Sequence, residues 1–134
     1  MITVADVRAF VKDFPRSYEV VVRGRIKFRV GQIVWLAFSR DETTMGFAFP
    51  KEERQMLVDT YPDKFELPRE SDMRFNWVHA RCEALSRGEM RELAYDAWRM
   101  VVPQKVSKTV PAPPSVLWKS APVDSDQRDP TSSR

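Results

Sequence analysis

Residues 17–49 read SYEVVVRGRIKFRVGQIVWLAFSRDETTMGFAF and carry the strongest indication of the fold. Four runs within this stretch are rich in β-branched and aromatic residues, and short segments with turn residues separate them. The runs are Ser17–Val22, Arg25–Val30, Ile33–Ser39 and Met45–Phe49, and the separators are Gly24, Gly31-Gln32 and Arg40–Thr44. Strands joined by such short turns pair antiparallel with their neighbours along the chain. The stretch therefore predicts an antiparallel meander.

Helical patterns lie on either side of this meander. Thr3 and Asp6 have the spacing of a capping box, apolar residues follow at helical intervals, and Pro15 ends the segment. Pro50 suits the first turn of a second helix, which we predict to run from Lys51 to about Thr60.

The second half of the chain adds a further strand and a last helix. Arg74–Leu85 is predicted to be a strand, although its alternation is imperfect. Ser86 and Glu89 form a second capping box, and Pro103 ends the helix that follows. The predicted core face of this helix consists of Met90, Leu93, Ala94, Ala97 and Val101. Together the elements predict an α+β fold, with helices packed on one face of an antiparallel sheet.

The composition changes near residue 106. Five of the ten prolines lie within residues 107–134, and polar residues fill most of the remainder. Such a segment buries too little apolar surface to offset its chain entropy. We predict one domain over residues 1–106 and a disordered Pro/Ser-rich tail over 107–134, in which Val116-Leu117-Trp118 is a short hydrophobic island able to dock.

The length and composition indicate one ordinary domain. At 134 residues the chain can bury a core without disulfides, and its one cysteine, Cys82, excludes an internal one. The first ten residues lack the basic and apolar regions of a secretory signal, and no apolar run approaches the ~20 residues that cross a bilayer. We therefore expect a cytoplasmic protein with no membrane partner.

The net charge of +3 is small, so an electrostatic binding site would have to be a local patch. The strongest patch lies in RGRIKFRV, where basic and apolar residues alternate and would leave opposite faces of a strand. The basic residues are Arg23, Arg25, Lys27 and Arg29, and the apolar ones are Ile26, Phe28 and Val30. The basic row predicts phosphate contact, as in nucleic-acid binding. The alternative is a solvated strand face that its charge protects from edge pairing.

A second candidate surface lies on the predicted late strand. Trp77 is interleaved there with Arg74, His79 and Arg81, a composition typical of single-stranded nucleic-acid binding through base stacking. The same composition also fits a sheet face that a helix covers.

No catalytic set is recognisable in the sequence. His79, the only histidine, and Cys82 would point to opposite faces of a strand, so they do not pair as base and nucleophile. One histidine and one cysteine form no metal-ligand pattern, and the four glycines form no phosphate-binding loop. We predict a non-enzymatic protein with no catalytic residues, metal site or cofactor.

Several local strings resemble the MmcQ/YjbR family. They are FRVG at residues 28–31, Asn76-Trp77-Val78, and DAWRMVVP at residues 96–103, in an order of elements that also matches. The resemblance spans residues 3–106 and implies an α+β double-wing fold, a DNA-binding role and no catalytic residues. Members commonly have Gly-Lys in the turn after FRV, where this chain has Gly31-Gln32. If that lysine binds phosphate in relatives, a basic residue of the preceding strand must replace it here.

Two functional predictions result. The first is a DNA-binding or regulatory protein that contacts the phosphate backbone through Arg23, Arg25, Lys27 and Arg29. The alternative is a non-enzymatic protein- or small-ligand-binding module that uses the Trp77–Arg81 strand and the exposed side of the last helix. A protein partner would bind through the C-terminal tail or through the Trp77–Arg81 surface.

Overall fold

Six antiparallel strands form one sheet in the computed structural model, which describes residues 1–117. The strands are β1 (Ser17–Val22), β2 (Arg25–Val30), β3 (Ile33–Phe38), β4 (Thr44–Ala48), β5 (Phe65–Glu66) and β6 (Trp77–Arg81). Their spatial order is β1-β2-β3-β4-β6-β5. The predicted meander is confirmed, and its ends differ by one residue only at β3 and β4.

Four helices accompany the sheet within the described residues. They are α1 (Val4–Val11), α2 (Arg54–Thr60), α3 (Arg87–Arg99) and α4 (Gln104–Ser107). Both predicted capping boxes are present, because Thr3 and Asp6 exchange hydrogen bonds at the start of α1 and Ser86 and Glu89 do so at the start of α3. The α+β fold predicted from the pattern is thus the fold observed.

The core lies between one face of the sheet and the pair α1 and α3. The strands direct alternate apolar side chains to this face, where Leu36, Phe47 and Val78 are fully buried. Trp35 and Trp98 are also fully buried, and Phe14 contacts both rings, at centroid distances of 6.4 and 4.7 Å. Among residues 1–117, no helix covers the middle of the opposite face of the sheet, where Ala37 and Gly46 line a groove.

The predicted late strand is shorter than expected. Only Trp77–Arg81 is a strand, and a 3₁₀ turn at Cys82–Ala84 replaces its predicted end. The helix after it ends at Arg99, so the predicted core residue Val101 lies beyond α3 and is only half-buried. The strand β5 was not predicted, because two residues are too few to display a period.

The boundary predicted at residue 106 needs correction for residues 107–117, which pack against α3. The Tyr95 hydroxyl donates to the Val110 carbonyl at 3.0 Å. The buried Glu92 carboxylate accepts from the amides of Val116 and Leu117 at 2.6 and 2.9 Å, and the Leu117 side chain is buried. These contacts offset the loss of chain entropy that led us to predict a disordered tail. The remainder of the predicted tail, from Trp118 onward, lies outside the described residues.

None of the described helices is both long and apolar enough to cross a lipid bilayer.

Candidate functional site

A groove runs along the sheet face opposite the core. One cross-strand row contains Lys27, Ala37, Gly46 and His79, on β2, β3, β4 and β6 in that order. Because the two central members are the small ones, the middle of the sheet is a depression between larger side chains. The groove has a volume of about 750 Å³, and the segment 69–76 and Met100 form parts of its rim.

Two cations of the predicted basic row line the groove. Arg25 is exposed and Lys27 is half-buried. Among residues 1–117, neither lies in an ion pair with a carboxylate. Six other basic residues of this part of the chain do form such pairs: Arg8, Lys64, Arg69, Arg81, Arg87 and Arg99.

The other two basic residues of the predicted row, Arg23 and Arg29, do not line the groove. Arg23 lies outside the strand, in the turn before β2, with a left-handed φ of 55°. Arg29 faces the same side of β2 as Lys27, since it lies two residues further along the strand, but it is half-buried and does not line the groove. A bulge in β3 shifts the register of the β2–β3 pairing between Phe28 and Arg29. On the other face Phe28 is buried as predicted.

Trp77 lies over the groove floor because Gly46 has no side chain. A Cβ atom on Gly46 would lie 2.6 Å from Trp77 Nε1 and 2.9 Å from Cε2 and Cζ2, closer than such atoms approach one another. The Nε1 edge of the indole therefore lies directly above the β4 backbone. The residue is half-buried, and the part of its ring that remains accessible borders the groove.

A buried arginine fixes the segment that leads into β6. Arg54, at the start of α2, is 5% exposed and donates from Nη1 to the carbonyls of Phe75 and Trp77 at 2.8 and 3.2 Å, and from Nη2 to the Met73 carbonyl. The Asn76 side chain accepts from the Lys51 amide at 3.0 Å. The positions of Phe75 and Trp77 at the groove are thus set by α2.

His79 lines the groove on the same side as Trp77, since both residues belong to β6. Burial lowers the pKa of His79 below its usual value, and this effect outweighs the opposite influence of Glu66 and Asp72. Asp72 also lines the groove, where its charge is balanced by Arg69 at 3.3 Å. At neutral pH the imidazole is therefore uncharged, and the cationic side of the groove is the β2 side.

Arg74 and Arg81, the other two basic residues of the predicted late-strand surface, do not line the groove. Arg81 is engaged in an ion pair with Glu66 at 2.6 Å. The Arg74 guanidinium lies over the Phe75 ring, 4.7 Å from its centroid.

Two observations concern metal ligands and the one thiol of residues 1–117. Within residues 1–117, no group of three or more His, Cys, Asp or Glu side chains is placed to hold a metal ion. Burial raises the pKa of the Cys82 thiol to about 11, so at neutral pH it remains protonated.

The structure unites two surfaces that the sequence treats separately. Arg25 and Lys27 from β2 border the same groove as Trp77 and His79 from β6. Sequence reasoning missed Gly46 and Arg54, since no local pattern distinguishes a glycine beneath an indole or an arginine that binds carbonyls.

Comparison with known proteins identifies the family. The YjbR family model matches residues 12–100, which is well over half of the chain. The chain therefore belongs to the YjbR family. Comparison with curated proteins gives no match.

A solved structure supports the fold assignment. The crystal structure of Deinococcus radiodurans protein DR2400, which contains a DUF419 domain, superimposes with a TM-score of 0.67 at 18% sequence identity. The superposition covers 90% of this chain and 96% of that one. The similarity therefore extends over nearly the whole of both proteins, and it concerns the fold alone.

Proposed function

We propose that this YjbR-family protein binds nucleic acid, DNA in particular, without catalysing a reaction on it, and that Arg25 and Lys27 contact the phosphate backbone at the groove. The observation that carries the proposal is that both cations line the groove without a carboxylate partner among residues 1–117. Because Asp72, which also lines the groove, is paired with Arg69, the unpaired charge of the groove is positive and attracts anions.

The small number of cations limits how the protein binds. Two phosphate contacts correspond to a slope of log affinity against log salt of about −1.4 for a single strand and about −1.8 for a duplex. Phosphate contacts position a protein without reading bases. We therefore expect weak, salt-sensitive binding with little sequence preference.

The test is a titration of fluorescently labelled oligonucleotides at several salt concentrations, read by anisotropy. The variant Arg25→Glu/Lys27→Glu is expected to lose affinity for all sequences alike and to bring the salt slope close to zero, since one counterion fewer is released per lost contact. Far-UV circular dichroism and urea unfolding should remain like those of the wild type, because both side chains reach solvent.

A matched control carries the same change in net charge elsewhere. Arg91 on α3 and Lys105 on α4 are exposed and do not line the groove. The variant Arg91→Glu/Lys105→Glu should bind almost as the wild type does. If the wild type has no measurable affinity even at low salt, or if both variants lose affinity equally, the proposal is wrong.

The second candidate is a small-ligand-binding module. A volume of about 750 Å³ falls within the ~300–1,000 Å³ of ligand pockets, and the floor between the cations and the indole is apolar. This alternative predicts that a small anionic aromatic compound binds in the groove and that extending it to an oligonucleotide adds no affinity.

A further inference from the structure

We infer that the groove accommodates an unpaired nucleobase against Trp77, so that the nucleic acid it binds is single-stranded. This inference rests on the function proposed above and narrows its ligand class. The surroundings of the aromatic residues, rather than the charges, support it.

The three tryptophans within residues 1–117 differ sharply in their surroundings. Trp35 and Trp98 are fully buried and contact the Phe14 ring. Trp77 is only half-buried, and no aromatic ring in the described part of the chain packs against it. Core packing therefore explains the first two and leaves the accessible part of the third unexplained.

A second aromatic side chain lies at the same rim. Phe75 is 50% exposed and lines the groove two residues before Trp77. Leaving a large apolar ring half in water contributes little to folding. Arg54 nevertheless holds the carbonyls of both residues, so the backbone that carries the two rings is fixed in place.

The distances across the sheet suit a nucleotide. Gly46, beneath the indole, is two strands from Lys27, which corresponds to about 10 Å at the usual strand spacing. A base on the indole can thus direct its own or a neighbouring phosphate toward Lys27 and Arg25. Bases in a duplex are stacked on one another and present only their edges, whereas a single strand offers free π-faces.

The decisive experiment compares four labelled ligands of equal length on the wild-type protein at low salt. They are oligo(dT), oligo(rU), an abasic oligodeoxynucleotide with the same backbone, and a mixed-sequence duplex. We expect either single strand with bases to bind about 5- to 150-fold more tightly than the abasic strand, the range that one base–aromatic stack provides. The ratio of dT to rU affinity identifies which sugar is preferred.

Two variants and one spectroscopic signal locate the base. Trp77→Phe should retain part of the preference for bases, and Trp77→Leu should lower the affinity for oligo(dT) to that for the abasic strand. Because His79 is the only histidine, its imidazole proton signals report the groove directly, and oligo(dT) should shift them more than the abasic strand does.

The outcomes separate the two proposals. Binding of all four ligands with similar affinity, still sensitive to Arg25→Glu/Lys27→Glu, would overturn the unpaired-base inference and leave the proposed function standing. Absence of binding to every ligand would overturn both. Because the ligand comparison uses the unaltered protein, the inference can fail even if neither Trp77 variant folds.

Discussion

A residue without a side chain has the largest influence on the groove. Gly46 lies on a central strand, where glycine is ordinarily unfavourable, and its φ is not in the left-handed region. Its role is the close approach of Trp77, since any Cβ atom would meet the indole. The same glycine, together with Ala37, deepens the sheet face between Lys27 and His79. One position thus makes room for both the ring and the groove.

His79 provides a prediction at the same scale. Its pKa is lowered by burial, so the unfolded chain takes up a proton near pH 6.5 that the folded protein still excludes. The free energy of unfolding should therefore be highest above this pH and decrease as the pH falls toward the folded-state pKa. An NMR titration of the one histidine measures that pKa directly.

His79→Gln serves as the control for this effect. It should flatten the decrease in stability between neutral and mildly acidic pH, because glutamine does not titrate. A measured pKa at or above 6.5 in the free protein would contradict the burial of the imidazole. An anionic ligand in the groove should raise the pKa, since a nearby negative charge favours the imidazolium form.

Among the elements, α2 acts mainly through one residue. Arg54 has no carboxylate partner among residues 1–117 and uses its guanidinium to satisfy three carbonyls of the segment that precedes and begins β6. A buried cation neutralised only by carbonyl dipoles is costly to desolvate, and its hydrogen bonds must be complete to be stable. The helix therefore holds the aromatic rim of the groove.

We predict that Arg54→Leu lowers the free energy of unfolding by about 3 kcal/mol, because it leaves three carbonyls without a donor. Urea denaturation monitored by circular dichroism measures the change. Lys51→Met is the matched control. Lys51 is exposed, and its Nζ donates one long hydrogen bond of 3.3 Å to the backbone carbonyl of Arg74 in the same segment. A similar loss in both variants would contradict a special role for the buried guanidinium.

At the scale of the whole molecule, residues 107–117 are part of the domain. This segment extends beyond the matched family region, which ends at residue 100, and is held on α3 by the buried Glu92 carboxylate. A carboxylate that accepts two amide hydrogens and the Ser115 hydroxyl forms strong charge-assisted bonds.

Glu92→Gln is expected to loosen this segment, because the amide keeps one oxygen for the Val116 and Leu117 amides but loses the negative charge that strengthens both bonds, and its Nε2 atom replaces the oxygen that accepts from the Ser115 hydroxyl. Hydrogen exchange should then accelerate at the amides of Val116 and Leu117, by about 10-fold for each 1.4 kcal/mol lost. Glu83→Gln, at an exposed position, should leave their exchange unchanged. Unaltered protection in Glu92→Gln would exclude the carboxylate as the anchor.

Local regularities predicted most of the secondary structure. Alternation in residues 17–49 yielded the four strands of the meander, and the Thr3 and Ser86 capping boxes marked the starts of α1 and α3. These features depend on residues a few positions apart, so a sequence displays them. The short strand β5, the early end of α3 and the packing of residues 107–117 depend on distant partners, and the pattern missed them.

The groove depends on pairing between strands that are far apart in the chain. The sequence predicts Lys27 and Trp77 separately as candidate binding residues, but their meeting on one face requires β6 to pair with β4 rather than extend the meander elsewhere. The roles of Gly46 and Arg54 are visible only in the folded structure, where Gly46 lies beneath the Trp77 indole and Arg54 donates to carbonyls of the segment before β6. Chemical type and local period are encoded residue by residue, whereas the juxtaposition of cations and indole arises from long-range packing.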